Sequence, residues 1–127
     1  MPQYRTLEES ATMTNDCIFC RIARGELGTT FLAESEHNVV FRDMSPQAPV
    51  HFLIVPRRHF SSLRNVGAED AAVVADALLL ASRVAEQEDL FQGGYRVITN
   101  DGPDAGQTVA HLHFHVLGGA KLHAGLG

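Results

Sequence analysis

The sequence contains no long apolar run, and this absence limits where the protein can work. A membrane-spanning helix needs about 20 consecutive apolar residues, and the 127 residues contain no such stretch. Residues 1–15 carry mixed charge and several Ser and Thr residues, a composition unlike the apolar centre of a signal peptide. We therefore expect a flexible N-terminal arm over residues 1–15, one domain over residues 16–127, no membrane partner and a cytoplasmic location.

Positive charge is also scarce. The 10 Lys and Arg residues are outnumbered by 15 Asp and Glu residues, which gives a formal net charge of −5 at pH 7. Proteins that bind nucleic acid usually present a basic patch or stripe, so we expect no nucleic-acid partner. An anionic ligand would have to be held by local backbone amides and imidazoles. The glycine fingerprints of P-loop and Rossmann nucleotide sites are absent as well.

Cysteine is limited to one pair, Cys17 and Cys20. The stretch from residue 17 to residue 24 is compatible with a helix, with Asp16 placed to cap its start and Gly25 placed to end it. Residues three apart share one side of a helix, so the two thiols should face the same way. Three interpretations remain open: two buried thiols, a redox pair, or half of a zinc site. The spacing alone does not select further ligands among the seven histidines.

The strongest pattern lies near the C-terminus, where histidine and apolar residues alternate from residue 111 to residue 117. Alternation with period two predicts a β-strand with one buried face. His111, His113 and His115 should then share one face of the strand, while the intervening side chains enter the core. Three imidazoles in a row are unusual as packing residues. They indicate either a metal site or a nucleophile flanked by groups that bind and protonate a substrate.

The other predicted elements are short strands and one long helix. Strands are expected at residues 30–34, 38–42, 51–56 and 95–99, and the first two should form a hairpin. The long helix is expected from Ala68 to Leu90. Its apolar stripe consists of Ala71, Val74, Ala75, Leu78, Ala81 and Ala85. Further apolar residues widen this stripe, so the helix has two surfaces to cover, one against the sheet and one against a partner subunit.

Together these features resemble the histidine triad (HIT) family, in its branch of histidine triad nucleotide-binding proteins, the adenosine phosphoramidases. The resemblance starts from the His111-x-His113-x-His115 signature and covers roughly residues 16–123. The other matching segments, in chain order, are Cys17-Ile18-Phe19-Cys20, Asp43-Met44-Ser45-Pro46-Gln47-Ala48-Pro49, His51-Phe52-Leu53, Tyr95-Arg96-Val97, Asn100, Gly106-Gln107-Thr108 and Gly118-Gly119. Several segments in the same order are more specific than any one motif.

The resemblance implies an α+β domain with a five-stranded antiparallel sheet, one long helix and one short helix. It implies a homodimer in which the long helix and the strand at residues 95–99 meet their symmetry mates. It also implies hydrolysis of the P–N bond in purine nucleotide conjugates, with AMP as the expected nucleotide and GMP left open. His113 would attack the α-phosphorus and form a covalent histidine–AMP intermediate. His115 would lie against the phosphate oxygens, with His51 beside it as a further catalytic residue.

The same resemblance implies a nucleotide site around these histidines. Asp43 would accept hydrogen bonds from the ribose hydroxyls. The phosphoryl charge would be held by Asn100, Gly106, Gln107 and Thr108. The base would lie in an apolar slot formed by Ile18, Phe19, Ile22, Phe41 and Met44. Each of the slot residues is also an ordinary core candidate.

For the thiols, the resemblance implies a structural zinc site. Its ligands would be Cys17, Cys20, His59 and His111, a donor set suited to tetrahedral Zn²⁺. No organic cofactor is expected. The chain departs from close relatives of this branch at Thr108, where serine is usual, and at Ala110. Its tail lacks an aromatic residue found in some relatives, which leaves the preferred leaving group open.

Alternative functions stay open at this point. A dinucleoside polyphosphate hydrolase would use the same nucleophile. A nucleotidyl transferase is disfavoured, because that branch usually carries glutamine in place of His115. A regulatory module that binds nucleotide or zinc, with incidental turnover, is the alternative from a different class.

Overall fold

The computed structural model describes residues 17–123, which form two α-helices and five β-strands. In chain order the elements are α1 (Ile18–Ala23), β1 (Ala33–Glu34), β2 (Asn38–Arg42), β3 (Val50–Pro56), α2 (Ala71–Gln87), β4 (Tyr95–Ile98) and β5 (Phe114–Gly118). Short 3₁₀ turns cover Leu63–Asn65, Ala68–Asp70 and Pro103–Ala105. The predicted arm at residues 1–15 lies outside the described residues. None of the described helices has the length and apolar character needed to cross a membrane.

All five strands pair antiparallel, in the order β1-β2-β3-β5-β4. This confirms the predicted α+β class, with its five-stranded antiparallel sheet, one long helix and one short helix. β1 has two residues rather than the five expected at residues 30–34. β5 is the last strand in the chain, yet it lies between β3 and β4. Residues of β5 therefore have neighbours on both sides.

The sheet carries a hydrophobic core on each face. α2 packs on one face, against alternate residues of the inner strands such as Val116. α1 packs on the other face, where Phe19 joins a buried cluster with Leu53. Because successive strand residues point to opposite faces, the register places His51 and His115 on the face of α1.

Both ends of α1 have identifiable caps. The Cys17 sulfur accepts a hydrogen bond from the backbone N–H of Cys20 (3.4 Å), so Cys17 occupies the N-cap position. Asp16, the predicted cap, lies outside the described residues. At the other end Gly25 has φ +79°, and its N–H donates to the Ile22 carbonyl (2.9 Å). This left-handed glycine confirms the predicted helix end.

α2 begins and ends within its predicted limits, but a different stripe faces the sheet. The buried residues are Val73, Ala77, Leu80, Ala81, Val84 and Ala85. Ala71, Ala75 and Leu78 of the predicted stripe are exposed. The prediction holds for Ala81 and Ala85, which are buried, and fails for the three exposed residues. The helix is apolar on two sides, and a 3.6-residue period fits either side. Leu79, which is 66% exposed, enlarges the apolar surface that the sheet leaves uncovered.

β5 starts later than predicted. Its pairing with β3 ends at Ile54↔Phe114. Just before that pair, the N–H of Leu112 donates to the Phe60 carbonyl (2.6 Å) rather than to a neighbouring strand. The prediction that His111, His113 and His115 share one face of a strand is therefore wrong, because only His115 lies within β5.

Candidate functional site

Two histidines on neighbouring strands form the centre of the candidate site. His115 on β5 lies opposite Leu53 of β3, and His51 lies two residues before Leu53 on the same face. Nε2 of His51 and Nδ1 of His115 are 2.9 Å apart, which is a hydrogen-bond distance. The fold therefore brings these two candidate residues into direct contact.

A backbone amide determines which ring nitrogens of this pair carry hydrogen. The N–H of Gln47 lies 3.0 Å from Nδ1 of His51. An amide N–H can only donate, so Nδ1 accepts and the neutral ring carries its hydrogen on Nε2. That hydrogen is directed at Nδ1 of His115, which must accept in turn. The hydrogen of the neutral His115 ring therefore sits on Nε2, where it can be donated to a ligand.

His113 is held by a different contact. Its Nδ1 lies 2.7 Å from the carbonyl oxygen of His111, so Nδ1 carries the hydrogen and Nε2 keeps its lone pair. The ring packs edge-on against Phe19, with centroids 5.0 Å apart, and its centroid lies 4.9 Å from that of His115. The result is an imidazole with one nitrogen fixed by an acceptor and the other available as a nucleophile.

Burial favours the neutral form of all three imidazoles. It is the main cause that lowers the pKa of His51 and of His113. Burial, followed by the neighbouring rings of His113 and His51, lowers the pKa of His115 to about 4. Neutral rings do not repel one another, and a neutral imidazole is the form that can attack phosphorus.

Asp43, the predicted ribose acceptor, lies at the edge of this group. Its Oδ1 accepts a hydrogen bond from the N–H of Ser45 (2.8 Å). Its Oδ2 lies 3.4 Å from Nε2 of His51 and 3.9 Å from Nδ1 of His115. The carboxylate is partly exposed, so it retains lone pairs for a ligand hydroxyl. Its contact with ribose stays a prediction.

An open cavity of about 300 Å³ adjoins the paired histidines. Its lining consists of Gln47, His51, Ile98, Asn100, Ala105, His115 and Leu117. Asn100 is therefore close to the paired histidines, and its contact with a phosphoryl group stays a prediction. The apolar part of the lining comes from β4 and β5, through Ile98 and Leu117.

The loop between β4 and β5 carries the other predicted phosphate contacts. The side-chain amide of Gln107 donates to the carbonyls of Ser61 (2.7 Å) and Val109 (3.0 Å), so this side chain braces the loop. Gly106 follows the 3₁₀ turn with φ +85°, a conformation that favours glycine, and Thr108 is exposed. The phosphate contacts of their amides and of the Thr108 hydroxyl stay predictions.

The predicted base slot divides into a buried and an exposed part. Phe19, Ile22 and Phe41 are buried in the core on the α1 face. Ile18 is 43% exposed and Met44 is 96% exposed. The three buried residues pack in the core, as ordinary core residues do. Their contact with a base stays a prediction.

The four predicted metal ligands converge beside His113. Nδ1 of His111 lies 3.2 Å from the Cys17 sulfur and 3.1 Å from Nδ1 of His59. The Cys20 sulfur lies 3.2 Å from Nδ1 of His59 and 3.5 Å from Nδ1 of His111. A tetrahedral Zn²⁺ with two sulfur and two nitrogen ligands would separate its donor atoms by roughly 3.3–3.8 Å. The set therefore fits a metal ion after only small adjustments.

The surroundings of this cluster also suit a metal ion. Nε2 of His111 lies 2.8 Å from the Pro56 carbonyl, so it carries the hydrogen and leaves the Nδ1 lone pair facing the other donors. A hydrogen bond from the Cys20 thiol is the main cause that lowers the pKa of Cys17. The bond to Cys17 and burial raise the pKa of Cys20. A metal ion would replace the shared thiol proton, because it binds thiolates.

Comparison with known proteins assigns the chain to a family. A family model described as the HIT domain matches residues 24–122. The chain belongs to the HIT family. The assignment agrees with the histidine motif from which the resemblance was drawn, and the five-stranded sheet is that of the HIT fold.

The HIT protein has close relatives in bacteria. It is 43% identical over 110 residues to an uncharacterised HIT-like protein of Synechococcus elongatus, a match that covers 87% of this chain and 96% of that one. It is 37% identical over 110 residues to the purine nucleoside phosphoramidase of Escherichia coli K12, covering 87% and 92%. A HIT family hydrolase from Legionella pneumophila superposes with a TM-score of 0.85 at 38% identity, covering 88% and 100%. These relatives make the HIT protein a hydrolase.

The HIT protein has a second group of potential metal ligands, from Asp43, His51 and His115. This group fits an ion less well than the first. The N–H of Gln47 occupies the Nδ1 lone pair of His51, which leaves hydrogen on the Nε2 atom that would have to bind the ion. The group is better suited to pass or donate hydrogen.

Two backbone groups of the HIT protein's site carry no sequence signal. The N–H of Gln47 orients the histidine pair, and the carbonyl of His111 orients the nucleophile. Every non-proline residue has an N–H and every residue has a carbonyl, so neither role can be read from residue types. The interval of four residues between Gln47 and His51 is the only local hint.

Proposed function

We propose that this protein hydrolyses the P–N bond of purine nucleoside phosphoramidates, AMP conjugates above all, through a covalent histidine–AMP intermediate on His113. The observation that carries the proposal is the Nδ1–H bond from His113 to the His111 carbonyl (2.7 Å), which leaves the Nε2 lone pair for attack. A neutral imidazole fixed in this way is a competent nucleophile near pH 7. The phosphoramidase among its relatives supports the same class of reaction.

The proposed reaction has two steps. Nε2 of His113 forms a bond to the α-phosphorus while the P–N bond breaks, and the electron pair of that bond goes to the leaving amine. As the anionic substrate binds, the His51–His115 pair beside the Asp43 carboxylate takes up one proton from solvent. The amine then takes up a proton from Nε2–H of His115, and the pair returns to its neutral form. Water then attacks phosphorus, the bond to His113 breaks, and a proton from water returns to His115. The products are AMP and the free amine.

Further contacts would hold the nucleotide. Asp43 would accept from the ribose hydroxyls. The phosphoryl charge would be shared by the Asn100 side chain, the amides of Gly106 and Gln107, and the Thr108 hydroxyl. The position of Asn100 in the cavity lining beside the paired histidines supports this arrangement. The base, adenine or guanine, would lie against the apolar residues at the exposed end of α1.

We propose that the metal cluster, defined as Cys17, Cys20, His59 and His111, binds a structural Zn²⁺. Two sulfur and two nitrogen donors at these separations suit this ion. The ion would tie α1 to the segment ahead of β5 and would take no part in the chemical steps. Imidazoles and water are sufficient for those steps, so no organic cofactor is proposed.

We also propose a homodimer formed through α2 and β4. Leu78 and Leu79 on α2 and Val97 on β4 are exposed, and β4 is an edge strand of the sheet. Exposed apolar side chains beside an unpaired strand edge are typical of an interface. Leu79→Arg should shift the molecular mass measured by light scattering towards that of one chain. Glu36→Arg, an exposed change on the turn before β2, should leave the mass unchanged.

The remaining expectations concern partners and location. We propose that residues 16–127 act as one HIT domain in the cytoplasm, on small nucleotide conjugates, without nucleic-acid or membrane partners. The net charge of −5 supports this, because polyanions and anionic membranes would be repelled.

The decisive experiment is rapid quenching of the protein with an adenosine phosphoramidate, followed by intact-protein mass spectrometry. We expect an adduct with the mass of AMP on the wild type and none on His113→Ala, which should still bind AMP. Turnover by His113→Ala at the wild-type rate would overturn the proposed nucleophile.

The same experiment separates the alternatives. Rapid cleavage of a dinucleoside polyphosphate with negligible cleavage of the phosphoramidate would favour a polyphosphate hydrolase with the same nucleophile. Binding of AMP with no adduct and no turnover of either substrate would favour a regulatory nucleotide-binding module. Turnover that disappears on exhaustive chelation would point to a metal-centred reaction instead.

A further inference from the structure

We infer, resting on the proposed function, that His111 is a positioning residue that couples the metal cluster to the nucleophile. The ring of His111 faces the Cys17 sulfur (3.2 Å) and Nδ1 of His59 (3.1 Å). The backbone carbonyl of the same residue accepts the Nδ1–H of His113 (2.7 Å). One residue therefore belongs to both sites, through its side chain in one and its backbone in the other.

The position of the His111 carbonyl depends on how the rest of the residue is held. The residue is fully buried. Its Nε2–H donates to the Pro56 carbonyl (2.8 Å), and its backbone N–H donates to the Val109 carbonyl (2.8 Å). Nδ1 of the ring faces the other members of the metal cluster. Binding of an ion at Nδ1 would further fix the ring, and with it the backbone carbonyl, which is joined to the ring through Cβ and Cα.

Phe19 provides a second connection between the two sites. It lies between the two cysteines in the sequence, on the first turn of α1. Its ring packs edge-on against both His111 (centroids 5.9 Å apart) and His113 (5.0 Å). Movement of the two thiols would therefore move a side chain that touches the nucleophile directly.

The expected consequence is a change in which nitrogen of His113 carries hydrogen. With the carbonyl in place, hydrogen stays on Nδ1 and Nε2 can attack. When the carbonyl is displaced, the neutral ring can carry hydrogen on Nε2, and that fraction of molecules cannot react. The contacts to ribose and base lie on other residues. Loss of the metal should therefore lower kcat and leave KM nearly unchanged.

The first test compares the full-length protein loaded with Zn²⁺ and freed of it, by ¹⁵N NMR of the histidine rings. We expect the loaded protein to show His113 with hydrogen on Nδ1 and the metal-free protein to show a mixture of both forms. In parallel, kcat should fall about tenfold on metal removal, the effect of one lost hydrogen bond. An unchanged His113 signal in folded, metal-free protein would overturn the coupling.

Variants separate positioning from general damage. The double variant Cys17→Ala/Cys20→Ala should reproduce the NMR signature of the metal-free protein. Cys17→His, which keeps a zinc ligand at the half-buried position, should restore the Nδ1–H signal and most of kcat. His37→Ala, on the turn before β2 and away from both sites, is the control. A double variant that folds and keeps the wild-type signal would also contradict the proposal.

The second test needs no mutation and remains available if the variants fail to fold. Coupling between two sites is reciprocal, so saturating AMP should tighten Zn²⁺ binding, measured by competition with a chromophoric chelator. We expect an increase in affinity of about fivefold or more. Equal affinity with and without bound AMP would overturn the coupling. Failure of AMP to bind would instead overturn the proposed function, and the NMR comparison would still decide the role of His111.

Discussion

Two histidine clusters lie side by side in this protein, and the backbone groups behind the rings make them different. In the metal cluster, Nε2–H of His111 donates outward to the Pro56 carbonyl, which turns the Nδ1 lone pair towards the other donors. In the catalytic cluster, defined as His51, His113 and His115 and named for its proposed role, the N–H of Gln47 donates to His51 and leaves its hydrogen on Nε2. A carbonyl behind a ring leaves a lone pair on the other ring nitrogen, as in His111 and His113, whereas an amide behind a ring leaves an N–H there, as in His51.

The clusters also differ in access. His59 and His111 are buried almost completely, whereas His115 is half-buried and lines the open cavity. A closed site with four donors suits a structural ion, and an open site suits a substrate that enters and leaves. Residue type alone would not separate them, because imidazole serves both purposes.

The largest effect should come from removing one member of the catalytic cluster. His115→Ala should lower kcat by about 10²–10⁴-fold, the usual loss for a general acid or base. Zinc content and thermal stability should stay close to wild type, since His115 contacts none of the metal ligands. Steady-state kinetics with an adenosine phosphoramidate and metal analysis of the same sample check both statements. Loss of zinc together with activity would show that the clusters are not separate.

Removing one ligand of the metal cluster should mainly lower zinc content and stability, in contrast to the loss of kcat expected for His115→Ala. His59→Ala should abolish stoichiometric zinc binding, and the protein should lose roughly 3–4 kcal/mol of stability, as expected for an ion present far above its Kd. Thermal unfolding with and without added Zn²⁺ measures the loss. The matched change His123→Ala, near the end of the described chain, should have no effect on zinc content. A stable His59→Ala protein with full zinc content would mean that another residue completes the site.

The pH dependence of stability should report on the burial of His115, a member of the catalytic cluster. The pKa of His115 is about 4 in the folded protein and about 6.5 when unfolded. Between these values the unfolded chain binds more protons, so stability should rise with pH from 4 to 6.5 and level off above. The difference of about 2.5 between the two pKa values corresponds to about 3 kcal/mol lost on full protonation, and solvent screening of this half-buried ring lowers that figure. His115→Gln should flatten that part of the curve in chemical denaturation, and equal slopes for both proteins would contradict the assigned burial effect.

The smallest effect should come from the Gln47 amide. Gln47→Pro removes the N–H that orients His51, and kcat should fall about tenfold relative to Gln47→Ala, which keeps that N–H. The difference between the two variants isolates the backbone group from the side chain. ¹⁵N NMR should show hydrogen on Nε2 of His51 in the alanine variant and a mixture in the proline variant. Identical spectra for the two variants would show that the Gln47 N–H does not determine which nitrogen of His51 carries hydrogen.

Much of the fold could be predicted from local pattern. The alternating burial over Phe114–Gly118, the left-handed end of α1 at Gly25 and the strand at residues 38–42 are local features, and the structure shows all of them. The buried side of α2 could not be predicted, because Leu78 and Leu79 are as apolar as the residues that face the sheet. Which side is covered depends on the sheet and not on the helix.

The sequence was enough to propose residues for the candidate site, but not the contacts that the structure shows between them. No spacing rule joins Cys17 to His111, which lie 94 positions apart, and His59 was selected through the family resemblance alone. The position of His111 outside β5 follows from the contact between Leu112 and Phe60, again a tertiary effect. Contacts of this kind exist only once distant segments are packed, so a single sequence does not contain a direct signal for them.

The place of β5 in the sheet has a consequence for synthesis on the ribosome. β5 follows the other four strands in the chain, and it is the only strand partner of β4 among the described residues. Without β5, β3 is paired on one side only. A growing chain that has emerged as far as β4 lacks His113, the proposed nucleophile, and His111, one of the four proposed metal ligands. It must also keep an open sheet edge from aggregating. We therefore expect a nascent chain without β5 to be inert, and the proposed activity and metal binding to appear together once β5 has emerged and paired.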